Sequence, residues 1–141
     1  MEFSQGSKVS AVANIPVGTK REETQVVTPD VAIDFMGVEG ARVLSTPNMI
    51  LGLEKTSRNA VLPLLDPGHD TVGTHVNVYH LAATPLGMTV TFHTEVTSVE
   101  DRRVNFKVEA FDGKDRIAKG THQRAIVNVA RFVAKLKEKA Q

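Results

Sequence analysis

The sequence predicts an α+β domain in which one long helix packs on an antiparallel β-sheet. Helical spacing of apolar residues is clearest in one stretch, which begins near Thr46 and ends near Pro63. From Val76 onward the pattern changes to the alternation that is typical of β-strands, and the connections between these strands are short and turn-like. A helix followed by hairpin-linked strands predicts a helix layer on one face of a sheet.

The length of the chain favours one domain. A chain of 141 residues is long enough to bury a core of its own but short for two domains. We interpret residues 1–141 as a single domain. Residues 1–20 lack a sustained period, and part of them could form a loose N-terminal extension.

The charge and composition of the chain limit which partners and which cellular location we expect. Seventeen Lys and Arg residues against sixteen Asp and Glu residues give a net charge of +1, so no broad field attracts nucleic acid or an anionic membrane. We expect neither as a partner. The chain has no cysteine, which excludes disulfides and thiolate ligands and fits a reducing compartment. Because it also has no long apolar run and no signal-peptide pattern, we expect a soluble protein of the cytoplasm.

The first elements follow from local signals. Glu22–Val27 is rich in β-branched residues and stops before Pro29, which predicts a first strand or an edge strand. Thr46 followed by Pro47 predicts the start of the long helix, with Thr46 as its N-cap. Apolar side chains at steps of three and four then give this helix one core-facing stripe, formed by Met49, Ile50, Leu53, Ala60, Val61 and Leu64.

Period-two patterns predict the remaining strands. Alternation begins at Val76 and leads to His80. It continues in three further runs, which are Met88–Val96, Val104–Ala110 and Ile117 to about Val129. The segments TPLG and DGKD between the runs are turn-like and predict hairpins. The closing RFVAKLKEKAQ predicts a short basic helix or a frayed end.

Several reaction classes lack their motifs. The five histidines show no spacing typical of a metal site, and no cysteine is present to complete one. The chain also contains no glycine-rich dinucleotide motif, no phosphate-binding loop and no nucleophile elbow of the α/β-hydrolases. We therefore predict neither a metal nor a cofactor.

Glu54 and His80 are the candidates that the patterns themselves provide. Glu54 lies on the apolar stripe of the helix, four residues after Ile50, so we expect its carboxylate to point towards apolar surroundings, which is unusual for a glutamate. His80 shares a strand face with Val76 and Val78, where an imidazole is drawn partly out of water. Such a pair can share a proton as a general base does. Each residue can equally be a structural group whose hydrogen bonds are satisfied.

Three further residues have both a structural and a chemical interpretation. Thr46 caps the helix, but a helix N-terminus also offers amide hydrogens and a positive dipole end for an oxyanion. Gly73 lies early in a strand, where glycine indicates a bulge or the close approach of another backbone segment or a ligand. Arg124 could bind a carboxylate or a phosphate, or it could face water.

Two sequence runs resemble a known class of enzymes. VGTHVNVYHLAATPLGMTVTFHTEV and the later GTHQRAIV are similar to the central strands of thioesterases with the hot-dog fold, in which an antiparallel sheet wraps a long helix. The nearest resemblance is to the fluoroacetyl-CoA thioesterase family, from about Val43 to Val133. It implies hydrolysis of an acyl-CoA thioester to a free acid and coenzyme A. It also implies a homodimer whose sites lie between a helix of one subunit and residues of the other.

The resemblance assigns roles to five positions. It implies a catalytic group formed by Thr46, Glu54 and His80, with Gly73 and Arg124 as substrate-binding residues. The chain departs from the family before the helix. Phenylalanines cover the acyl group in the fluoroacetyl-specific enzyme, whereas Phe35 stands alone between Val31 and Ser45 here. We therefore expect a different small or medium acyl group.

The residues leave the mechanism and the function class open. Thr46 could attack the thioester with His80 as its base, or Glu54 and His80 could activate a water molecule. A hot-dog dehydratase or hydratase and a non-catalytic acyl-CoA-binding module are the alternative functions, because one fold hosts many reactions.

Overall fold

Five antiparallel strands and two α-helices form the fold in the computed structural model, which describes residues 15–141. The strands are β1 (Lys20–Val26), β2 (His69–His80), β3 (Thr89–Glu100), β4 (Arg103–Phe111) and β5 (Arg116–Asn128). Their order across the sheet is β1-β3-β4-β5-β2. The helices are α1 (Thr46–Val61) and α2 (Val129–Lys139). This arrangement confirms the predicted α+β class, with the long helix on the sheet.

The core lies between α1 and the central strands. In β4 the burial alternates along the strand, with Val104, Phe106, Val108 and Ala110 inside. This is the face that the period-two pattern predicts. Strand β3 contributes Val90, Phe92 and Val96 to the same core. A register shift after Val96 then changes the alternation towards the β3–β4 turn.

The two edges of the sheet are β1 and β2. The prediction of a first or edge strand before Pro29 is confirmed, since within residues 15–141 β1 pairs with β3 alone. In the described part of the chain, strand β2 pairs with β5 alone, and its residues 73–77 are exposed. A register shift between Gly73 and His75 marks a bulge in β2. The long strand that carries His80 is therefore an open edge.

The start of α1 corrects one prediction, because Ser45 and not Thr46 is the N-cap. Ser45 has extended backbone angles, and its Oγ accepts hydrogen bonds from the backbone N–H and the side-chain amide of Asn48, at 3.1 and 2.7 Å. Thr46 is then the first helical residue, followed by Pro47. Serine and threonine cap helices almost equally well, so the sequence could not choose between them. The hydroxyl of Thr46 stays available for another partner.

The inner face of α1 follows the predicted stripe in part. Met49, Leu53, Ala60 and Val61 are buried, whereas Ile50 is only half-buried. The deepest contact is made by a glycine instead of an apolar side chain. A Cβ at Gly52 would lie 2.2 Å from the ring of Phe92. The helix backbone therefore lies close against β3.

The ends of the described chain complete the fold. Ile15 is buried and Gly18 donates a backbone hydrogen bond to Val96, so residues 15–20 pack on the sheet. Residues 1–14 of the expected loose extension lie outside the described residues. The basic tail forms α2, capped by Asn128, which confirms the helical interpretation. Neither helix in the described part of the chain is long and apolar enough to span a membrane.

Candidate active site

Thr46 and His80 meet at the start of α1. The hydroxyl Oγ1 of Thr46 lies 2.8 Å from Nδ1 of His80, which is the last residue of β2. Backbone hydrogen bonds fix both partners: Leu44 donates to Thr84 and Leu81 donates to Ile117, at 2.9 and 2.7 Å. The loop after β2 is thereby tied to the segment that enters α1. The pairing of a hydroxyl with an imidazole is the arrangement of an activated nucleophile.

This pair lines a cavity of about 510 Å³. The other lining side chains are mostly apolar and come from the segment before α1 and the loop after β2, among them Ile33, Phe35, Val43, Leu81 and Ala82. Phe35 is 77% exposed at the mouth. Concave, mostly apolar sites with a few convergent polar groups are typical of ligand pockets.

The environment of His80 prepares it as a base. Burial lowers the pKa of the imidazole below its ordinary value of 6.5, so His80 is neutral at neutral pH. Its Nε2 is buried and has no hydrogen-bond partner within residues 15–141. Nδ1 can accept the proton of Thr46 only in the tautomer that carries its hydrogen on Nε2.

Glu54 lies elsewhere along α1. Its side chain is 34% exposed, and Oε2 lies 3.6 Å from a guanidinium nitrogen of Arg124. The expectation that Glu54 points into apolar surroundings is wrong, because a buried cation faces it. Eight residues separate Glu54 from Thr46, which is about 12 Å of helix rise. Within residues 15–141 no hydrogen bond or ion pair joins Glu54 to His80.

Arg124 is buried inside the domain and does not face water. The residue is 6% exposed. Its Nε donates to Thr71 Oγ1 at 2.6 Å, and its Nη2 donates to the Thr71 carbonyl at 2.8 Å. Burial lowers the pKa of the guanidinium, and the nearby charges of Glu54 and Asp70 act in the opposite direction. Since guanidinium groups stay protonated in proteins, Arg124 is a fixed positive charge beside Glu54.

Gly73 provides the space for the Glu54 carboxylate. A Cβ at this position would lie 2.7 Å from Oε2 of Glu54, closer than real Cβ contacts. Gly73 also pairs with Arg124 across the β2–β5 ladder. The bulge predicted for this glycine is present, but the group that approaches it is neither a backbone segment nor a ligand. The approaching group is a side chain of the same subunit.

The sequence patterns did not identify one residue of this site, which is His122. His122 is 2% exposed, and its Nε2 lies 3.2 Å from Nη1 of Arg124. The signal was the strand period, because residues two apart on β5 share a face and both are buried. Within residues 15–141 no three histidine, aspartate or glutamate side chains lie close enough to hold a metal ion.

The structure thus separates the five predicted residues into two groups. Thr46 and His80 line the cavity, whereas Glu54, Gly73 and Arg124 lie together beside the bulge of β2. Both groups lie along α1 and β2. A carboxylate next to a fixed cation and a hydroxyl–imidazole pair together supply a base, a nucleophile and a proton carrier.

Similar proteins of known family allow the chain to be assigned to a family. The family described as FlK, fluoroacetyl-CoA-specific thioesterase, matches residues 26–130. The fluoroacetyl-CoA thioesterase of Streptantibioticus cattleyicolor is 43% identical over 101 residues, which are 72% of this chain and 73% of that protein.

Solved structures agree with this match. A threonine-to-serine variant of the fluoroacetyl-CoA thioesterase FlK in complex with acetyl-CoA is 35% identical, with a TM-score of 0.83 over 90% of this chain and 100% of that chain. A hot-dog-like protein from Thermanaerovibrio acidaminovorans is 26% identical, with a TM-score of 0.82 over 90% of this chain and 94% of that chain. The predicted hot-dog fold is therefore confirmed, and the chain belongs to the fluoroacetyl-CoA-specific thioesterase family.

Proposed function

We propose that Thr46, His80 and Glu54 carry out the hydrolysis of an acyl-CoA thioester, the activity to which family membership assigns this chain. The observation that carries this assignment is the 2.8 Å contact between Thr46 Oγ1 and His80 Nδ1 in an apolar cavity. Family membership also favours hydrolysis over the hydratase and binding-module alternatives.

The first half of the reaction uses the hydroxyl–imidazole pair. Thr46 Oγ1 attacks the thioester carbonyl carbon while its proton moves to Nδ1 of His80. The positive end of the α1 dipole, next to Thr46, stabilises the oxyanion that develops. The C–S bond then breaks, and coenzyme A leaves as a thiol with the proton from His80. An acyl group is left as an ester on Thr46.

The second half returns the free enzyme. A water molecule gives a proton to a base and attacks the ester carbonyl, which releases the carboxylic acid and restores the Thr46 hydroxyl. Glu54 with His80 is the proposed base for this step. In the other route that the residues allow, the same two groups activate water for direct attack on the thioester. Thr46 then only orients His80.

Gly73 and Arg124 serve the site through Glu54 in this proposal. The donors Nε and Nη2 of Arg124 are engaged by Thr71, and its Nη1 faces Glu54 and His122. These contacts favour a role in placing the carboxylate over direct contact with the acyl group. The absence of a side chain at Gly73 leaves the carboxylate the room that it occupies.

The proposal includes a homodimer because Glu54 and His80 of the same subunit do not contact each other. Glu54 lies beside Gly73, whereas His80 contacts Thr46, which is about 12 Å of helix rise away from Glu54. Strand β2 is an open edge with exposed Val76 and Tyr79, and such edges pair readily with another chain. Antiparallel pairing of β2 with the same strand of a second subunit would bring the His80 end of each strand towards the Gly73 end of the other.

Release of free coenzyme A tests the activity and the assignment together. Wild type, Glu54→Gln and His80→Ala are compared on short, medium and aryl acyl-CoA substrates, with folding checked by circular dichroism. We expect hydrolysis by wild type and a loss of at least about 100-fold in kcat for both variants. Full activity of Glu54→Gln would contradict its role. An intact thioester with altered enoyl absorbance would instead indicate a hydratase.

Subunit mixing tests whether the site spans two chains. Glu54→Gln and His80→Ala subunits are co-expressed with different affinity tags, and the mixed dimer is isolated. If Glu54 serves the partner's His80, one of the two sites in the mixed dimer carries both changes and the other carries neither, so about half of the wild-type activity returns. If both residues act within one chain, every site is defective and the mixed dimer is inactive.

The substrate and the location complete the proposal. Phe35 is exposed at the mouth of the cavity and leaves the acyl site open, which favours a small or medium acyl group over fluoroacetate alone. The same panel of substrates ranks these groups by kcat/KM. We place the enzyme in the cytoplasm, where coenzyme A thioesters are made and consumed.

A further inference from the structure

His122 is a buried histidine that the reaction steps do not use. It lies on β5 with 2% exposure, and its ring stacks on Phe106 with the ring centroids 5.9 Å apart. Both ring nitrogens have partners. Nδ1 lies 2.8 Å from the carbonyl oxygen of His75, and Nε2 lies 3.2 Å from Nη1 of Arg124. A buried imidazole with two specific partners is a defined part of the site, and not only a filler of the core.

The two partners fix the tautomer of His122. A carbonyl oxygen only accepts, so Nδ1 must carry the hydrogen that it donates to His75. A guanidinium only donates, so Nε2 must be the bare nitrogen that accepts from Arg124. The imidazole is therefore neutral, with its hydrogen on Nδ1. Burial lowers the pKa of His122, and the charge of Arg124 adds to this effect.

The bare Nε2 determines where the guanidinium of Arg124 points. Thr71 holds Nε and Nη2 of Arg124, and His122 is the acceptor that holds the third nitrogen, Nη1. The same Nη1 faces Oε2 of Glu54 at 3.6 Å. We propose that His122 is a positioning residue that holds Arg124 against Glu54 and so fixes the carboxylate for the thioesterase reaction. This inference rests on the proposed role of Glu54.

Protonation of His122 on Nε2 would remove the contact by which it positions Arg124. A hydrogen on Nε2 would face the guanidinium and leave Nη1 without its acceptor. The charged and titratable groups around His122 are Arg124 on β5, Glu54 on α1 and His75 on β2. Burial and the charge of Arg124 oppose a positive charge on His122, while the hydrogen bond to the His75 carbonyl and the charge of Glu54 favour one. The neutral state is therefore the one that keeps the carboxylate in place.

Two substitutions of similar polarity distinguish the contributions of the two ring nitrogens of His122. In His122→Gln the longer amide can place an acceptor where Nε2 lies, facing Arg124. In His122→Asn the shorter amide can keep the donor to His75 but cannot reach Arg124. We expect kcat to fall at least about tenfold in His122→Asn and to stay within about threefold of wild type in His122→Gln. KM should change little in either variant, because His122 does not line the cavity.

A matched control and a spectroscopic measurement accompany the kinetics. His93→Gln makes the same exchange at a half-exposed histidine that pairs with Glu22 on the outer face of the sheet, and we expect kcat unchanged. Long-range ¹H–¹⁵N correlation spectra of the wild-type enzyme identify the tautomer of each histidine. The His122 signal, assigned by its loss in His122→Gln, should show hydrogen on Nδ1. A charged ring or hydrogen on Nε2 would overturn the proposal.

The outcomes distinguish this inference from the function on which it rests. If Glu54→Gln is inactive while His122→Asn keeps full kcat, Glu54 acts without His122 and the positioning role is wrong. If His122→Gln loses as much kcat as His122→Asn, the acceptor facing Arg124 is not what matters, and the inference fails. Full activity of Glu54→Gln would instead remove the proposed role of Glu54, and the inference with it.

Discussion

The space above Gly73 is filled by the carboxylate of Glu54, whose Oε2 lies 2.7 Å from the position that a Cβ would occupy. Gly73 therefore sets the position of a residue that is remote in sequence. The backbone of Gly73 is not in the left-handed region, so steric space and not conformational freedom explains why glycine is required here.

The variant Gly73→Ala should displace Glu54. The new methyl group overlaps the end of a flexible side chain, which can move at small cost in stability, but the carboxylate then leaves its contact with Arg124. We expect kcat to fall at least about tenfold with a change in unfolding free energy below about 1 kcal/mol. Gly40→Ala is the matched control, since nothing lies within 4 Å of its Cβ position. Equal kcat in both variants would contradict the steric role of Gly73.

Variants of Thr46 separate the two reaction routes. Thr46→Ala removes the hydroxyl next to His80, whereas Thr46→Ser keeps it. If Thr46 is the nucleophile, we expect a loss of at least about 1000-fold in kcat for alanine and at most about tenfold for serine. Mass spectrometry of enzyme quenched during turnover should detect an acyl group on wild type. A small loss in Thr46→Ala, without an acyl-enzyme, would favour direct attack by water.

The cap of α1 predicts a different result for the neighbouring residue. Ser45→Ala removes the acceptor of the Asn48 amide, and loss of an N-cap costs about 1 kcal/mol of stability. Thr46→Ala leaves this hydrogen bond intact and should destabilise less. Urea denaturation of both variants measures the difference. If Thr46→Ala were the less stable of the two, Thr46 and not Ser45 would be the cap.

The pKa of His80 predicts the acid limb of the pH profile. Burial holds this pKa below 6.5, and the imidazole works as a base only when it is neutral. kcat/KM should therefore be constant near pH 7 and fall as the pH drops through a value below 6.5. The unfolded chain binds the proton more readily, so stability also falls as the pH drops below about 6.5. An acid limb at or above pH 6.5 would contradict the burial of a neutral base.

Local patterns predicted most elements of the fold, although β2 begins at His69, seven residues before the predicted alternation. The alternation in Val104–Ala110 gives the buried face of β4 correctly, because strand geometry sends successive side chains to opposite faces whatever the partners are. The bounds of α1 followed from Pro47 and Pro63 within a few residues, because proline restricts the backbone locally. The residues themselves indicated all five site positions as candidates, most clearly Glu54 and His80, whereas the assignment of their roles came from the family resemblance.

Only the tertiary structure decided which of these residues meet. Thr46 and His80 are 34 residues apart and form one pair, whereas Glu54, which the sequence matched with His80, lies beside Arg124 on β5. The choice depends on how far α1 is shifted along β2 and on the bulge after Gly73, and neither leaves a period in the sequence. The sequence by itself thus determined the elements, their buried faces and the family, since these depend on local geometry and residue type. The partners of Glu54 and His122 depend on packing between distant segments, and only the folded chain determines them.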